Sequence, residues 1–233
     1  MTYNIHHGEG IDGVVDLNRI KEVIKKENPD ILLLQEVDVN LKRSGNMDIA
    51  QQLSESLGMK NAVFGENLNI ENGAYGNATL SRFSITSSNN FQFEQIGPEQ
   101  RGALATEITV NGYNILVLNS HFDHSQDDSE RILYAEKVIS DILYQYNTDA
   151  VLFGGDFNDI PISVMYQKLS ENFKDAWTIS GQGEGFTIPA DQPKKRIDYI
   201  LFSGGIQPDS VWVPRTEASD HLPVVADFIF GGE

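Results

Sequence analysis

The apolar residues of this chain occur in short runs, and this feature most limits what the chain can fold into. The longest runs, at residues 31–34 and 115–118, have the length of a β-strand. A membrane-spanning helix needs about 18 or more apolar residues in succession, so the sequence predicts no membrane span. At 233 residues the chain suits one large hydrophobic core and is short for two. Since no linker or repeat divides it, we expect a single domain over residues 1–233.

Apolar residues at helical spacing predict three amphipathic helices, with apolar faces at residues 17–24, 49–57 and 132–146. Asp16 is a suitable N-cap for the first of these helices, which must end by Asn28 because a proline follows. Gly58 closes the second helix. Acidic residues at positions 127 and 128 precede the third, where they favour the positive end of the helix dipole.

Strand patterns dominate residues 60–120, and the Asn111-Gly112 pair predicts a tight hairpin between strands at 103–110 and 113–119. Further strands are predicted at residues 1–3, 31–34, 150–153, 199–202, 211–213 and 224–228. Hairpins combined with crossover helices favour mixed sheets with helices packed outside them. Two stacked sheets would bury all of these strands in a chain of this length.

The charge of the chain bears on its partners. The sequence carries 34 acidic and 17 basic residues, a formal net charge of −17. Proteins that grip DNA or RNA usually carry a basic surface, because phosphate neutralisation supplies most of their affinity. Lys194-Lys195-Arg196 is the only basic triplet, and we interpret it as a solvated loop. The composition therefore argues against long nucleic acids as partners, although a bound metal ion would offset part of the negative charge locally.

Two further features bear on chemistry and compartment. The chain has no cysteine, which excludes disulfides, thiolate metal sites and a cysteine nucleophile. No signal or transit peptide precedes the strand-like residues 2–5. Because Met1 stands directly against a core strand, we expect an upstream segment to be missing, with an export signal as its favoured identity. The alternative is a cytoplasmic protein, and the sequence leaves the compartment open.

Side chains that can bind metal ions or transfer protons recur at the ends of the predicted strands. They are Asn4, Glu36, His121, Asp156, Asn158, Asp198, Asp220 and His221. Loops at strand ends are where rigid scaffolds present functional groups. Each residue alone has an ordinary explanation: Glu36 as a solvated turn acid, Asp156 as an Asx-turn residue, His221 as a half-buried imidazole. The combination indicates an active site.

Six segments of the sequence are similar to those of a known family. They read TYNI, LLQE, NSH, GDFN, RIDY and SDHLP, at residues 2–5, 33–36, 119–121, 155–158, 196–199 and 219–223. In this order they resemble the signature blocks of the endonuclease/exonuclease/phosphatase superfamily, which includes pancreatic-type deoxyribonucleases, abasic-site endonucleases, inositol polyphosphate 5-phosphatases and neutral sphingomyelinases. The resemblance implies a deoxyribonuclease-like α/β fold, a four-layer α-β-β-α sandwich of two mixed sheets with helices outside.

The resemblance also implies a metal site at one end of the two packed sheets. Glu36 corresponds to the family's main metal ligand, and Asn4 and Asp220 to its supporting residues. These are hard oxygen donors, which suit Mg²⁺ or Mn²⁺ better than zinc. The ion would contact a non-bridging phosphoryl oxygen and neutralise the charge that grows in the transition state.

The remaining blocks imply the residues that act on water and phosphate. Asp156 matches the residue that orients or deprotonates the attacking water, and Asn158 would help to hold the water and the phosphate. Asp198 resembles the acid that pairs with the final histidine, His221, raising the basicity of its ring. His121 matches a histidine that contacts phosphate.

Four other residues are expected at the substrate. His6 and His124 lie next to predicted site residues, where they line the pocket, form a second metal-binding corner or are simply exposed. Asn77 and Arg101 resemble recurring positions in bacterial members, and a guanidinium matches phosphate geometry. Arg82 is expected to brace the structure. Four aromatic residues either wall the pocket or, by default, pack in the core: Tyr75, Trp177, Phe186 and Trp212.

The small size of the chain and its lack of basic loops favour a small phosphodiester or a lipid headgroup as substrate. The alternatives are a nuclease of the same chemistry, a phosphomonoesterase acting on sugar or inositol phosphates, and a non-catalytic binding module. Salt dependence separates a nuclease from a small-substrate enzyme, and metal-dependent turnover separates the enzymes from a binding module. Residues 185–191 also look similar to a subgroup of bacterial metal-dependent hydrolases. We expect a monomer.

Overall fold

The computed structural model describes residues 1–231 and has the predicted α/β architecture, with two mixed sheets and helices outside them. Four strands form the first sheet, in the order β1-β2-β4-β3: β1 (Thr2–Asn4), β2 (Ile31–Val39), β3 (Asn61–Ile70) and β4 (Gly73–Ser81). β1 runs parallel to β2, and the other neighbours in this sheet are antiparallel. Within residues 1–231, no helix is both long and apolar enough to cross a membrane.

The second sheet has six strands in the order β5-β6-β7-β8-β10-β9, and its central pair, β7 and β8, is parallel. Its strands are β5 (Ser84–Gln92), β6 (Gly102–Val110), β7 (Tyr113–His121), β8 (Ala150–Asp156), β9 (Lys174–Asp175) and β10 (Asp198–Gly204). β11 (Ile206–Trp212) and β12 (Val225–Phe230) form a two-stranded ribbon. The predicted hairpin between β6 and β7 is confirmed, with positive φ angles of 50° at Asn111 and 88° at Gly112.

Five α-helices occur in the described part of the chain: α1 (Leu17–Glu27), α2 (Ile49–Leu57), α3 (Ser129–Lys137), α4 (Val164–Ser170) and α5 (Ala176–Ser180). Asp16 caps α1 as predicted, since its side chain accepts the backbone N–H of Asn18. Asn28 and Gly58 end α1 and α2 in the left-handed conformation.

The long helix predicted at residues 132–146 is present with its inward face as predicted, but it is not a regular α-helix throughout. α3 ends at Lys137, a π-helical segment covers Val138–Ile142, and a 3-10 turn covers Leu143–Gln145. Tyr146 is already extended, with φ −119° and ψ 137°. Val138 and Ile142 are both buried against the second sheet. Hydrophobic spacing alone does not distinguish such a π-helical segment from an α-helix.

The alternating side chains of the strands build three hydrophobic layers. Leu32 and Leu34 of β2 pack against α1 and α2, whereas Leu33 between them faces the other sheet. In the same way, Leu116 of β7 packs toward α3 and α4, while Val117 packs between the sheets. Successive strand residues point to opposite faces, so continuous apolar runs indicate strands that are covered on both sides. The three hydrophobic layers therefore separate four layers of secondary structure: helices, sheet, sheet and helices.

Buried polar side chains join the two sheets beneath their shared end. Asn119 of β7 donates from Nδ2 to the backbone carbonyls of Leu34 and Ala78 in the first sheet, at 3.0 and 2.8 Å. Gln35 donates from Nε2 to Asn119 Oδ1 at 2.7 Å. Both residues stand in the signature segments, but their sequence positions do not reveal this role. The bonds set the separation of the two sheets where the predicted site residues lie.

The basic triplet at residues 194–196 is not uniformly solvated. Lys194 and Lys195 are exposed as predicted, but Arg196 is buried and its Nη1 lies 2.6 Å from Asp175 Oδ2. Its guanidinium also lies over the Tyr199 ring, 4.8 Å from the centroid. Arg196 therefore braces β9 against β10. Arg82 has the bracing role that was predicted, donating to Pro29 O at 3.2 Å and Asn28 Oδ1 at 2.7 Å.

Candidate active site

Strand pairing brings the predicted catalytic residues to one end of the second sheet. His121 is the last residue of β7, Asp156 the last of β8, and Asp198 the first of the antiparallel β10. The register places His121 opposite Asp156 and Asp156 opposite Asp198. Three residues that are 35 or more positions apart in sequence are therefore neighbours across three strands.

Glu36 reaches this end of the fold through a β-bulge. The sequence predicted that Glu36 follows the strand. It lies inside β2 instead, where the pairing with β4 shifts between Leu34 and Val37. Its φ of 57° is unusual for a residue other than glycine. Asn4 donates from Nδ2 to Glu36 Oε1 at 3.0 Å. The bulge and this bond hold the Glu36 carboxylate at the edge of the site.

Asp156 is the hub of the hydrogen bonds. Its Oδ2 accepts Asn4 Nδ2 at 3.0 Å, and its Oδ1 accepts the backbone N–H of Asn158 at 3.0 Å. The same Oδ2 lies 3.5 Å from His121 Nε2 and 3.6 Å from His221 Nε2. Burial, followed by repulsion from Asp198, raises the pKa of Asp156 to about 7.

His221 lies between two carboxylates. Its Nδ1 is 2.9 Å from Asp198 Oδ2, and its Nε2 faces Asp156. Burial opposes the charged form, but attraction to Asp198 and then Asp156 outweighs it and raises the pKa of His221 to about 10. His221 is therefore an imidazolium at neutral pH.

His121 has the opposite character because its neighbour is a buried cation. Arg101, with 2% of its surface exposed, points Nη1 at His121 Nδ1 across 3.1 Å. A guanidinium only donates, so Nδ1 accepts and Nε2 carries the ring proton. Burial, and then the charges of Arg101 and His221, hold the pKa of His121 well below its usual range. His121 is thus a neutral hydrogen-bond donor directed at the site. Asn158 Nδ2 donates to the Phe122 carbonyl at 3.1 Å. It also lies 3.0 Å from His121 Nε2, but with the ring proton on Nε2 this contact joins two donors and is not a hydrogen bond.

A cavity of about 260 Å³ opens above these residues. Seven of its twelve lining residues are predicted site residues: Glu36, Arg101, His121, His124, Asp156, Asn158 and His221. Tyr75 lies at its wall, which is one of the two roles predicted for that residue. The residues that the sequence analysis missed are Arg43, Leu68, Ile70 and Glu99. They come from the segment after β2, from β3 and from the loop before β6, none of which carries a signature segment.

Both arginines of the cavity are paired with acids. Arg43 Nη2 lies 2.7 Å from the buried Asp38 Oδ1, and Arg101 Nη2 lies 2.7 Å from Glu99 Oε2. The guanidinium of Arg43 also lies 5.3 Å from the centroid of the Tyr75 ring. These cations are fixed in position, so the cavity offers a defined and limited positive charge.

Asp220 and His6 lie next to each other at the edge of the site, with 3.9 Å between Asp220 Oδ1 and His6 Nδ1. One ligand atom from each of His6, His7 and Glu36 lies within 4.8 Å of the other two. Asp156, Asp198 and His221 form a second group within the same distance limit. These three side chains are already paired with one another by a hydrogen bond and an ion pair, which explains why they lie close together without an ion. The residues around Glu36 are therefore the better candidates for metal binding.

Not every predicted residue reaches the cavity. Asn77 lies in β4, is 1% exposed and donates to the Gly102 carbonyl at 3.4 Å, so the structure places it beneath the site and not in it. Trp177, Phe186 and Trp212 line a separate groove. Asn4 offers Oδ1 to the backbone N–H of His6 at 3.0 Å and turns Nδ2 to the carboxylates, so in this structure it positions Glu36 and Asp156.

Comparison with known proteins agrees with this picture. The model of the Endonuclease/Exonuclease/phosphatase family matches residues 1–221. YbhP of Escherichia coli K12, an uncharacterized protein, is 24% identical over 97% of this chain and 94% of its own length. A 5'-tyrosyl-DNA phosphodiesterase of Caenorhabditis elegans is 28% identical over 88% of this chain and 57% of its own. The structure of a Bacteroides thetaiotaomicron mannosyl-6-phosphatase superposes with a TM-score of 0.77 at 18% identity, covering 98% of both chains.

Proposed function

This chain belongs to the Endonuclease/Exonuclease/phosphatase family, and we propose that it is a divalent-metal-dependent phosphodiesterase that hydrolyses a small or lipid-headgroup phosphodiester. The observation that carries the proposal is the Asp156–His221–Asp198 chain at the floor of the cavity, next to Glu36. Asp156 is a carboxylate that titrates near neutral pH, and His221 is a cation held in place beside it. Attack of water on a phosphoester needs a base for the water and positive charge for the phosphoryl oxygens.

Glu36 and Asp220 would hold the metal ion, with Asn4 orienting Glu36. Their carboxylate oxygens suit Mg²⁺ or Mn²⁺. The bulge that presents Glu36 to the cavity, at a φ of 57°, is the observation in this structure that fits such a role. When bound, the ion would act as a Lewis acid on a phosphoryl oxygen.

Asp156 is suited to take a proton from the attacking water. With a pKa of about 7, half of its population is ionised near neutral pH, close to the optimum for a general base. The bonds from Asn4 Nδ2 and the Asn158 N–H fix the plane of its carboxylate. The base is therefore held in one orientation before substrate arrives.

His221 and His121 are suited to stabilise the negative charge that develops on the phosphoryl oxygens. His221 brings a positive charge that Asp198 holds in place, and His121 brings an N–H whose position follows from the bond between its other nitrogen and Arg101. Donors that are oriented in advance cost no reorganisation during the reaction. We assign His221 the larger share of this stabilisation, because its ring is charged and that of His121 is neutral.

The shape and charge of the cavity favour a small substrate. Its volume of about 260 Å³ lies just below the usual range for ligand sites. Leu68, Ile70 and Tyr75 give one wall an apolar character that suits an organic or lipid substituent on the phosphate. Arg43 and Arg101 are already paired with acids, and the net charge of the chain is −17.

The test of the proposal is hydrolysis of bis-p-nitrophenyl phosphate against p-nitrophenyl phosphate with Mg²⁺, Mn²⁺ or EDTA. We expect metal-dependent turnover with a higher kcat/KM for the diester, and no turnover in EDTA. Preference for the monoester would contradict a phosphodiesterase and favour a sugar phosphatase, the activity for which the Bacteroides neighbour is named. Absence of turnover on both, with metal bound, would favour a binding module.

A second candidate function is a DNA-directed phosphodiesterase, favoured by the 28% identity to the tyrosyl-DNA phosphodiesterase of C. elegans. Salt dependence distinguishes the two. An enzyme that contacts 6–10 phosphates loses roughly 10³–10⁵-fold in affinity between about 50 and 200 mM salt. For this chain we expect kcat/KM on its preferred substrate to change by less than about threefold over that range, because few unpaired cations face the cavity. A steep loss measured on single-stranded or duplex DNA would contradict the small-substrate proposal.

A further inference from the structure

A strained turn of two histidines lies directly after β1 and next to Glu36. His6 and His7 both have left-handed backbones, with φ angles of 43° and 45°, and Gly8 follows at 90°. Two successive non-glycine residues in this region cost free energy, so other contacts must hold them there. One such contact is the His6 N–H, which donates to Asn4 Oδ1 at 3.0 Å. The amide that orients Glu36 therefore also anchors this turn.

One ring nitrogen of each histidine in this turn is buried and unsatisfied. Among residues 1–231, neither His6 Nδ1 nor His7 Nδ1 has a hydrogen-bond partner, although both atoms are shielded from solvent. The His7 side chain is only 8% exposed. Buried polar atoms without partners are rare and call for an explanation such as a missing ion.

The second nitrogen of His7 has a carboxylate neighbour. His7 Nε2 lies 3.4 Å from Glu9 Oε2. If Nε2 carries the proton, as this contact favours, Nδ1 presents a lone pair. A carboxylate on the far nitrogen is the usual arrangement around histidines that bind metal ions, because it fixes the tautomer and raises the basicity of the ring.

The rings of His6 and His7 share their surroundings with two carboxylates. His6, His7 and Glu36 each offer one ligand atom within 4.8 Å of the others, and Asp220 Oδ1 lies 3.9 Å from His6 Nδ1. Two imidazoles and two carboxylates would give a divalent ion a mixed set of nitrogen and oxygen donors, and the two carboxylates would balance its charge. Such a set differs from the all-oxygen site expected for Mg²⁺.

We propose that His6 and His7 complete, with Glu36 and Asp220, a mixed nitrogen–oxygen site that binds a first-row transition-metal ion in preference to Mg²⁺. The inference rests on the proposed function only in taking Glu36 and Asp220 as metal ligands. Imidazole suits transition-metal ions such as Fe²⁺, Ni²⁺ and Zn²⁺, whereas carboxylates alone suit Mg²⁺, Ca²⁺ and Mn²⁺. The natural ion of this chain is then a transition metal, and Mg²⁺ is a weaker substitute.

The experiment is calorimetric titration of the metal-free protein with Co²⁺ and with Mg²⁺, together with the visible absorption of the Co²⁺-loaded form. Co²⁺ is expected to bind at least about tenfold more tightly than Mg²⁺. His6→Ala should weaken Co²⁺ binding by roughly 10–100-fold and alter the absorption, while changing Mg²⁺ binding far less. Equal affinities of the wild type for both ions, or Co²⁺ binding unchanged in His6→Ala, would overturn the proposal.

Two further variants guard against indirect effects. His124→Ala removes a histidine of the same cavity that lies outside the cluster, and it should keep wild-type Co²⁺ affinity. Because His7 is buried and its replacement could unfold the chain, Glu9→Gln tests that residue through its partner, with an expected loss of roughly tenfold in Co²⁺ affinity. Thermal unfolding of each variant checks the fold, and loss of Co²⁺ binding in His124→Ala would contradict the assignment.

The proposed function and this site fail in different ways. Co²⁺ binding that depends on His6, in a protein with no turnover on either phosphoester, would leave the site standing and remove the phosphodiesterase. Turnover with Mg²⁺ that Glu36→Gln abolishes, combined with Co²⁺ binding that ignores His6 and Glu9, would leave the function standing and remove the site.

Discussion

Replacing Asp156 with Asn should lower kcat for diester hydrolysis by about 10²–10⁴-fold, the usual contribution of a general base. Asn keeps the shape of the side chain and can still accept the Asn158 N–H, but it cannot take a proton from water. KM should change much less than kcat, because the carboxylate acts on the attacking water. The measurement is steady-state kinetics on bis-p-nitrophenyl phosphate at saturating metal.

The pH dependence of the wild type gives the same prediction a second readout. Asp156 works as a base only when it is ionised, and its pKa is about 7. Activity should therefore rise as the pH increases through about 7, and this acidic limb should be absent from the residual activity of Asp156→Asn. Asp209→Asn is a suitable control, since it removes an exposed acid in β11. Wild-type turnover in Asp156→Asn would rule out its role as the base.

Replacing Asp198 with Asn should lower activity at pH 8–9 by roughly 10²–10⁴-fold, because His221 would lose the charge that holds its proton. In the wild type the raised pKa keeps His221 protonated below about 10, and the charge is lost as the pH rises through that value. Activity should therefore fall only above about 10. Without Asp198, burial is opposed only by Asp156 and the more distant Asp220, so the imidazolium should lose its proton at a lower pH.

The direct measurement is NMR titration of the His221 ring, read alongside the pH–rate profile. We expect the ring pKa and the alkaline limb to move down together in Asp198→Asn. Asp198→Glu should restore part of the shift, since it returns a carboxylate near Nδ1. An unchanged His221 pKa in Asp198→Asn would show that the 2.9 Å contact does not control its charge.

Local sequence patterns determined much of the fold. The caps at Asp16 and Gly58 and the hairpin at Asn111-Gly112 follow from turn chemistry that needs no partner elsewhere in the chain. Apolar runs such as residues 31–34 predict doubly covered strands because both faces of the strand must be apolar. The ends of these strands were predicted too early: β2 continues to Val39 and β7 to His121, where polar residues replace apolar ones but pairing continues.

The signature segments also indicated which residues meet at the candidate site. His121, Asp156, Asp198 and His221 are in contact in the structure. Their spacing in sequence carries no distance information, so the resemblance and not periodicity supplied the grouping. It also led to Asn77, which lies below the cavity, and it did not indicate Arg43 or Glu99, which line it.

Only the tertiary structure decided the charges and the exact presentation of the site. The left-handed Glu36 depends on how β2 pairs with β4, and the neutral state of His121 depends on burial and on Arg101, the residue just before β6. The unpartnered nitrogens of His6 and His7 appear only once the turn is folded against Glu36. Local conformation follows from neighbouring residues in the chain, so the sequence by itself determines it. Protonation and ligand geometry follow from charges and burial contributed by residues far apart in sequence, so only the folded structure determines them.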